Sequence, residues 1–140
     1  MATARRRRAV PSRLLSAADP HLQEAYTLLR MDFERETGHE LILTCVYRSP
    51  EEQAALYAQG RTKPGSIVTQ LSGEPGHRSN HNLSPARAVD VAVVVGGKVS
   101  WDAAQYAPLS TLAEHYNLVW GGNWKTLRDY PHLELPKDAS

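Results

Sequence analysis

The sequence predicts a single α+β domain in which an antiparallel sheet has helices packed mainly on one face. The chain has 140 residues, which suits one domain built around one core. Amphipathic helical patterns and β-rich runs share this length, and Gly96-Gly97 is typical of the two-residue turn of an antiparallel hairpin. Hydrophobic residues make up 41% and charged residues 22% of the chain, as in ordinary globular proteins.

The first predicted helix follows Asp19-Pro20, a pair typical of an N-cap and a proline at the first helical position. Gly38 marks its expected end. Between them, apolar residues recur at helical spacing, namely Leu22, Tyr26, Leu29 and Phe33. This amphipathic pattern predicts a helix that packs against a sheet.

A β-rich run over residues 41–47 predicts a buried strand, and Cys45 within it is expected to be a small buried hydrophobic residue. Ser49-Pro50 begins a second predicted helix that runs to about Gln59. Residues 61–85 are rich in glycine and proline and predict a long irregular segment. A segment of this length in a compact domain is usually functional or disordered.

Residues 88–95 predict a strand, and residues 98–101 return as the second strand of the hairpin. Period-two alternation places Asp90 on the face opposite Val89, Val91, Val93 and Val95. A carboxylate on a valine-rich strand is costly to bury without a partner, so Asp90 requires a cation. The remaining predicted elements are a helix over 102–116, with Pro108 in or near its first part, and short strands at 118–120 and 132–135.

Positive charge is concentrated at the N-terminus. Arg5–Arg8 and Arg13 precede the first acidic residue, so 11 of the 16 basic residues accompany all 15 acidic residues in the rest of the chain. We therefore divide the chain into a basic, flexible arm, residues 1–17, and a mildly acidic folded domain, residues 18–140. The arm is expected to make at most weak electrostatic contact with an anionic envelope. We expect no nucleic-acid partner, because aromatic and basic residues are not interleaved.

The chain shows no apolar run long enough for a signal peptide or a membrane span, so we expect neither an export signal nor a transmembrane segment.

Three residues carry potential ligand chemistry: His81 and Asp90 in SNHNLSPARAVD, and His132 in DYPHLEL. Two imidazoles and one carboxylate commonly hold catalytic zinc, with a further position left for water. Zinc lowers the pKa of that water, and a nearby carboxylate then completes the groups needed to hydrolyse an amide. Asp129 and Glu134 are the two candidate carboxylates, and strand periodicity alone slightly favours Glu134. The other histidines are expected to have no ligand role: His21, His39, His77 and His115.

Four motifs in this order resemble the zinc peptidases related to D-alanyl-D-alanine carboxypeptidases. They are TCVYRSPEEQAALYAQGRTKPGSIVT, SNHNLSPARAVDV, VWGGNW and DYPHLEL, and they span about residues 40–135. The first motif is most similar to the branch of phage L-alanyl-D-glutamate endopeptidases. The resemblance implies the hedgehog and DD-peptidase type of α+β fold, with one zinc ion per chain in a cleft on the sheet.

The family pattern implies that His81, Asp90 and His132 are the zinc ligands and that Asp129 is the general base. Many members have seven residues' separation between the first histidine and the aspartate. Here the separation is nine, with Ser84-Pro85 in between. This difference concerns the wall of the pocket and therefore the choice of the bond that is cut.

The resemblance also implies roles for residues around the ligands. Arg48 would stabilise charge on the scissile carbonyl or hold a substrate carboxylate, since its planar fork suits both tasks. Ser79, Trp120 and Trp124 would line the substrate pocket.

The resemblance implies a monomeric, phage-type endolysin that hydrolyses the L-alanyl-D-glutamate bond of the peptidoglycan stem peptide. A D-alanyl-D-alanine carboxypeptidase or dipeptidase is the alternative, followed by a catalytically silent peptidoglycan-binding module. An endolysin without its own export signal accumulates in the host cytoplasm and reaches the cell wall once the membrane is permeabilised.

Overall fold

A computed structural model of the chain describes residues 12–137 and confirms the predicted α+β architecture. Five strands form one antiparallel sheet, and four helices accompany it. In chain order the elements are α1 (Pro20–Thr37), β1 (Glu40–Cys45), α2 (Pro50–Ala58), β2 (Ala88–Val95), β3 (Lys98–Ser100), α3 (Ala103–Tyr106), α4 (Leu109–His115), β4 (Val119–Trp120) and β5 (His132–Glu134). Short 3-10 turns cover Leu15–Ala17, Asn80–Asn82 and Gly121–Asn123.

Helix α1 begins and ends where the sequence predicts. The Asp19 carboxylate accepts a hydrogen bond from the backbone N–H of His21, and Gly38 ends the helix in the left-handed region with φ of 73°. The four predicted apolar residues of α1 are all buried. Helix α2 carries a complete capping box, in which Ser49 and Glu52 each bond the other's backbone N–H.

Strand β2 lies at the centre of the sheet, whose strand order is β1-β2-β5-β4. β1 pairs along one edge of β2, whereas β5 pairs with residues 88–90 and β3 with residues 93–95 on the other edge. The hairpin at Gly96-Gly97 is confirmed, and both glycines have positive φ, as this turn requires. Asp90 therefore lies between Cys45 of β1 and His132 of β5.

The hydrophobic core lies on the valine face of β2. Val89, Val91 and Val93 are fully buried and pack with the apolar residues of α1 and α4. Helix α2 is different, because its only buried residue is the polar Gln53. Helix α2 contributes to the opposite side of the sheet, where the cleft described below is located.

The predicted helix over 102–116 is wrong in one respect, since the structure has two short helices there, α3 and α4. The break occurs at Ala107 and Pro108. Proline has no N–H to donate to the preceding turn, so α3 cannot continue through it, and Pro108 instead precedes α4. Tyr106, the last residue of α3, is buried, and its hydroxyl donates to the Ser100 carbonyl and accepts from the Val93 N–H.

The predicted division of the chain at residue 17 stays a prediction. Arg5–Arg8 lie outside the described residues. Of the arm, residues 12–17 are described. The backbone of Ser12 exchanges hydrogen bonds with Val46 and Tyr47, directly after β1, while Arg13 is exposed.

Among residues 12–137, no helix combines the length and the apolar character needed to cross a membrane.

Candidate metal centre and cleft

Asp90 and His132 meet because they are paired residues on adjacent antiparallel strands. The register of β2 and β5 places them opposite each other, and Asp90 Oδ1 lies 3.0 Å from His132 Nδ1. His81 joins them from the 3-10 turn that ends the long irregular segment, with its Nε2 3.1 Å from the same oxygen. The lengthened stretch between His81 and Asp90 therefore still brings the two side chains together.

The three candidate ligand atoms form a compact triangle. His81 Nε2 and His132 Nδ1 are 3.3 Å apart, and each lies 3.0–3.1 Å from Asp90 Oδ1. Ligand atoms at about 2.0–2.1 Å from a tetrahedral zinc ion are separated by about 3.3–3.4 Å. The observed triangle matches one face of that tetrahedron to within a few tenths of an ångström, so these residues fit the metal that the motifs imply.

Each imidazole is oriented by a hydrogen bond from its other nitrogen. His81 Nδ1 donates to the Val46 carbonyl at 2.8 Å, which leaves Nε2 directed at Asp90. His132 Nε2 donates to Glu134 Oε1 at 2.6 Å, and Asn80 donates to the second oxygen of Glu134 at 2.9 Å. Metal-ligating histidines are typically fixed by a carbonyl or carboxylate in this way.

These contacts bear on the two candidate bases. Glu134 shares the strand face of His132, as periodicity predicts, but both of its oxygens are occupied by His132 and Asn80. The carboxylate of Asp129 lies on the cleft side, with Oδ2 3.9 Å from His132 Nδ1 and 44% of its side chain exposed. Asp129 is therefore placed to meet a substrate or a water molecule, whereas Glu134 is placed to hold a histidine.

The neighbouring histidines strongly stabilise the ionised form of the Asp90 carboxylate. Burial raises its pKa, but attraction to His81 and hydrogen bonds from His132 and His81 outweigh burial and hold the pKa well below its ordinary range. Burial lowers the pKa of His81, whereas the charge of Asp90 raises it, to about 10. Asp90 thus favours positive charge on the groups around it, which also suits a metal cation.

Burial raises the pKa of Asp129, and the negative charge of Asp90 adds to the increase. A carboxyl group with a raised pKa binds a proton more readily than an exposed aspartate, which suits a general base.

Arg48 lies beside the ligands, directly after the turn that follows β1. Its guanidinium donates to Asp90 Oδ2 at 3.3 Å and to Gln53 Oε1 at 2.9 Å, and it contacts the Cys45 sulfur at 3.6 Å. Gln53 in turn donates to the Leu71 carbonyl at 2.9 Å. Arg48 is therefore held between the sheet, helix α2 and the long irregular segment.

Cys45 is buried, as predicted, with its sulfur 3.7 Å from His81 Nδ1. It lies behind the imidazole, on the side of the ring that already bonds the Val46 carbonyl.

The candidate ligands, Arg48 and Asp129 line a cleft of about 520 Å³. Residues of helix α2 and residues 68–71 also line the cleft, so the irregular segment does have a place in the site. Ser79 lines the cleft, and its hydroxyl caps the turn that carries His81. Trp124 also lines it, with its ring 4.9 Å from that of His132.

The structure places Trp120 differently from the prediction. Its side chain lies in the hydrophobic core and not in the cleft lining, and its ring N–H donates to the Tyr130 carbonyl at 2.7 Å. Leu118 and Leu133 share this core, so an apolar environment surrounds the Trp120 ring. Trp120 therefore fixes the segment before His132 rather than facing a substrate.

Gly121 completes this support, although sequence reasoning gave it no specific task. A Cβ at position 121 would lie 2.3 Å from the Asp129 carbonyl oxygen and 3.0 Å from the Cβ of His132. The Asp129 N–H also donates to the Gly121 carbonyl at 3.0 Å. Only glycine allows this close approach of the two backbones, which brings Asp129 next to the ligands.

Known proteins that match this chain are peptidases of the type that the motifs resemble. The family model described as D-alanyl-D-alanine carboxypeptidase matches residues 72–135. The peptidoglycan L-alanyl-D-glutamate endopeptidase CwlK of Bacillus subtilis is 35% identical over 108 residues, which cover 70% of this chain and 62% of CwlK. The chain thus spans less than two thirds of that relative.

The structure is also similar to the crystal structure of the L-Ala D-Glu endopeptidase ChiX of Serratia marcescens. The TM-score is 0.67 at 26% sequence identity, and the match covers 87% of this chain and 83% of ChiX. Together, the three matches confirm the predicted resemblance to peptidases related to D-alanyl-D-alanine carboxypeptidases and the predicted fold class.

Proposed function

We propose that this chain is a zinc peptidase that hydrolyses the L-alanyl-D-glutamate bond of the peptidoglycan stem peptide. The observation that carries the proposal is the triangle of His81, Asp90 and His132, with Asp129 beside it in an open cleft. The names of CwlK and ChiX support the choice of bond.

The three ligands would hold one zinc ion per chain. When bound there, zinc would lower the pKa of water and polarise the scissile carbonyl. Asp129 would accept a proton from the attacking water and pass it to the leaving amine, a transfer that its cleft position and raised pKa favour. Glu134 and the Val46 carbonyl keep the two imidazoles in the tautomers that leave lone pairs for the metal.

Arg48 would donate to the scissile carbonyl oxygen as negative charge develops on it. Its contacts with Asp90 and Gln53 use two of its N–H groups in one fixed orientation, so the guanidinium is preorganised. Ser79 and Trp124 would contact the peptide from the cleft wall.

Hydrolysis of D-alanyl-D-alanine is the second candidate, because the matching family model carries that description. A silent peptidoglycan-binding module is less favoured, since such a module has no use for Asp129 and Arg48 in the cleft. We further propose a monomer that acts on the cell wall after release from a host cytoplasm, with no nucleic-acid partner.

Digestion of purified peptidoglycan by the zinc-loaded chain tests this proposal, with the new termini identified by mass spectrometry. The proposal expects new N-terminal D-glutamate and C-terminal L-alanine. Release of D-alanine would establish the second candidate instead. Binding to peptidoglycan without any new terminus would support the silent module.

A further inference from the structure

The cleft contains two arginines, and their environments differ. Arg48 is largely buried and bonds Asp90, Gln53 and the sulfur of Cys45. Arg78 also lines the cleft, directly before Ser79, but it is exposed and forms no hydrogen bond or ion pair within residues 12–137. Arg48 is thus already partnered by a protein carboxylate, whereas the guanidinium of Arg78 has all its donors available.

The carboxylates of the cleft do not compensate Arg78. Glu134 is bonded to His132 and Asn80, and Asp90 to both histidines and Arg48. Asp129 Oδ2 lies 3.9 Å from His132 Nδ1 and forms no ion pair with Arg78. A guanidinium that lines a cleft without an anionic partner is suited to a carboxylate of the molecule that enters the cleft, because its planar fork matches the two oxygens.

We propose that Arg78 binds a free carboxylate on the carbon attached to the scissile nitrogen of the substrate. This inference rests on the proposed function. In the stem peptide, D-glutamate is joined onward through its side-chain carboxyl, so its α-carboxylate stays free at that carbon unless it is amidated. A terminal D-alanine carries a carboxylate at the same carbon, so the two candidate bonds share this chemistry.

The assignment separates the two tasks that the motif leaves open for Arg48. Arg48 acts on the scissile carbonyl, and Arg78 recognises the carboxylate. The enzyme therefore discriminates against stem peptides in which the α-carboxylate of glutamate is a carboxamide.

The test uses two synthetic stem peptides that differ only in a carboxylate or a carboxamide on that carbon. The zinc-loaded full chain should prefer the carboxylate peptide roughly 10–100-fold in kcat/KM, the scale of one charge-assisted hydrogen-bonded contact. Arg78→Gln should lose most of this preference, mainly through KM, and Arg78→Lys should keep part of it. Arg13→Gln is the matched control, since Arg13 is exposed and does not line the cleft.

An unchanged ratio in Arg78→Gln, or an equal loss on both peptides, would overturn the assignment. Calorimetric binding of the two peptides to Asp129→Asn, with and without Arg78→Gln, provides a readout that does not need turnover. If the wild type cuts neither peptide, the proposed bond is wrong. D-alanyl-D-alanine and its C-terminal amide then repeat the comparison, and the binding data still decide whether Arg78 selects the carboxylate.

Discussion

The two faces of strand β2 differ in their roles, since one packs into the hydrophobic core and the other faces the cleft. On one face Val89, Val91 and Val93 are completely buried against α1 and α4. On the other, Asp90 is surrounded by two imidazoles and a guanidinium at the base of a cleft. Because side chains alternate along a strand, a shift of one residue separates the packing that stabilises the fold from the chemistry of the site. The two faces should therefore respond differently to substitution.

The largest difference is expected between His132→Ala and Val91→Ala. His132→Ala removes one of three ligands, so the chain should lose both zinc and measurable hydrolysis. Val91→Ala removes buried methyl groups and should cost about 2 kcal/mol of unfolding free energy, with zinc content unchanged. Metal analysis, peptide hydrolysis and urea unfolding measure these effects. His21→Ala, an exposed histidine, is the control, and full zinc occupancy in His132→Ala would refute the ligand assignment.

Asp129→Asn separates proton transfer from metal binding on the polar face of β2. The amide is nearly isosteric but cannot accept a proton at neutral pH, so turnover should fall roughly a hundredfold or more. Zinc content and unfolding free energy should stay as in the wild type, because Asp129 is not one of the three ligands. A larger loss of turnover in Glu134→Gln than in Asp129→Asn would show that the base is assigned to the wrong carboxylate.

Arg48→Lys tests whether the guanidinium acts through its shape or only through its charge. A lysine cannot bridge Asp90 and Gln53 as the fork of Arg48 does. We expect kcat/KM to fall by the equivalent of about 2–4 kcal/mol of transition-state stabilisation, by analogy with the loss of one oxyanion donor. Zinc content at saturating metal should not change. Wild-type kcat/KM in this variant would reduce Arg48 to a structural residue.

Glu134→Gln should have the smallest effect on the polar face. The amide oxygen can still accept from His132, but the carboxylate charge that supports the imidazole is lost. Zinc affinity should fall about 10-fold, the lower end for partners of metal ligands, and turnover at saturating zinc should change little. Competition with a zinc-sensitive dye measures the affinity. An affinity equal to that of the wild type would contradict this supporting role.

Local sequence patterns predicted much of the fold and allowed the candidate metal ligands to be identified. The caps of α1, the glycine hairpin and the alternation of β2 are encoded by neighbouring residues, and the structure confirms them. Asp90 could be singled out because a carboxylate interrupts a run of valines. The roles of His81, Asp90, His132 and Asp129 nevertheless stay predictions until metal and turnover are measured.

The supporting contacts could not be predicted, because they join residues distant in sequence. The Val46 carbonyl orients His81 across 35 residues, and Asn80 reaches Glu134 across 54. The burial of Gln53 depends on the fold of the irregular segment that covers it. Trp120 matched a cleft motif in sequence, but only the sheet shows that its ring points into the core.

Metal removal is the decisive experiment for the proposed zinc site. The zinc-loaded chain should contain one zinc ion, lose hydrolysis of the stem peptide on exhaustive chelation, and recover it when one equivalent of zinc is returned. Val91→Ala should likewise lose hydrolysis on chelation and recover it when zinc is returned. In His132→Ala, added zinc should not restore hydrolysis. Full hydrolysis by the metal-free chain would rule out a zinc-dependent mechanism.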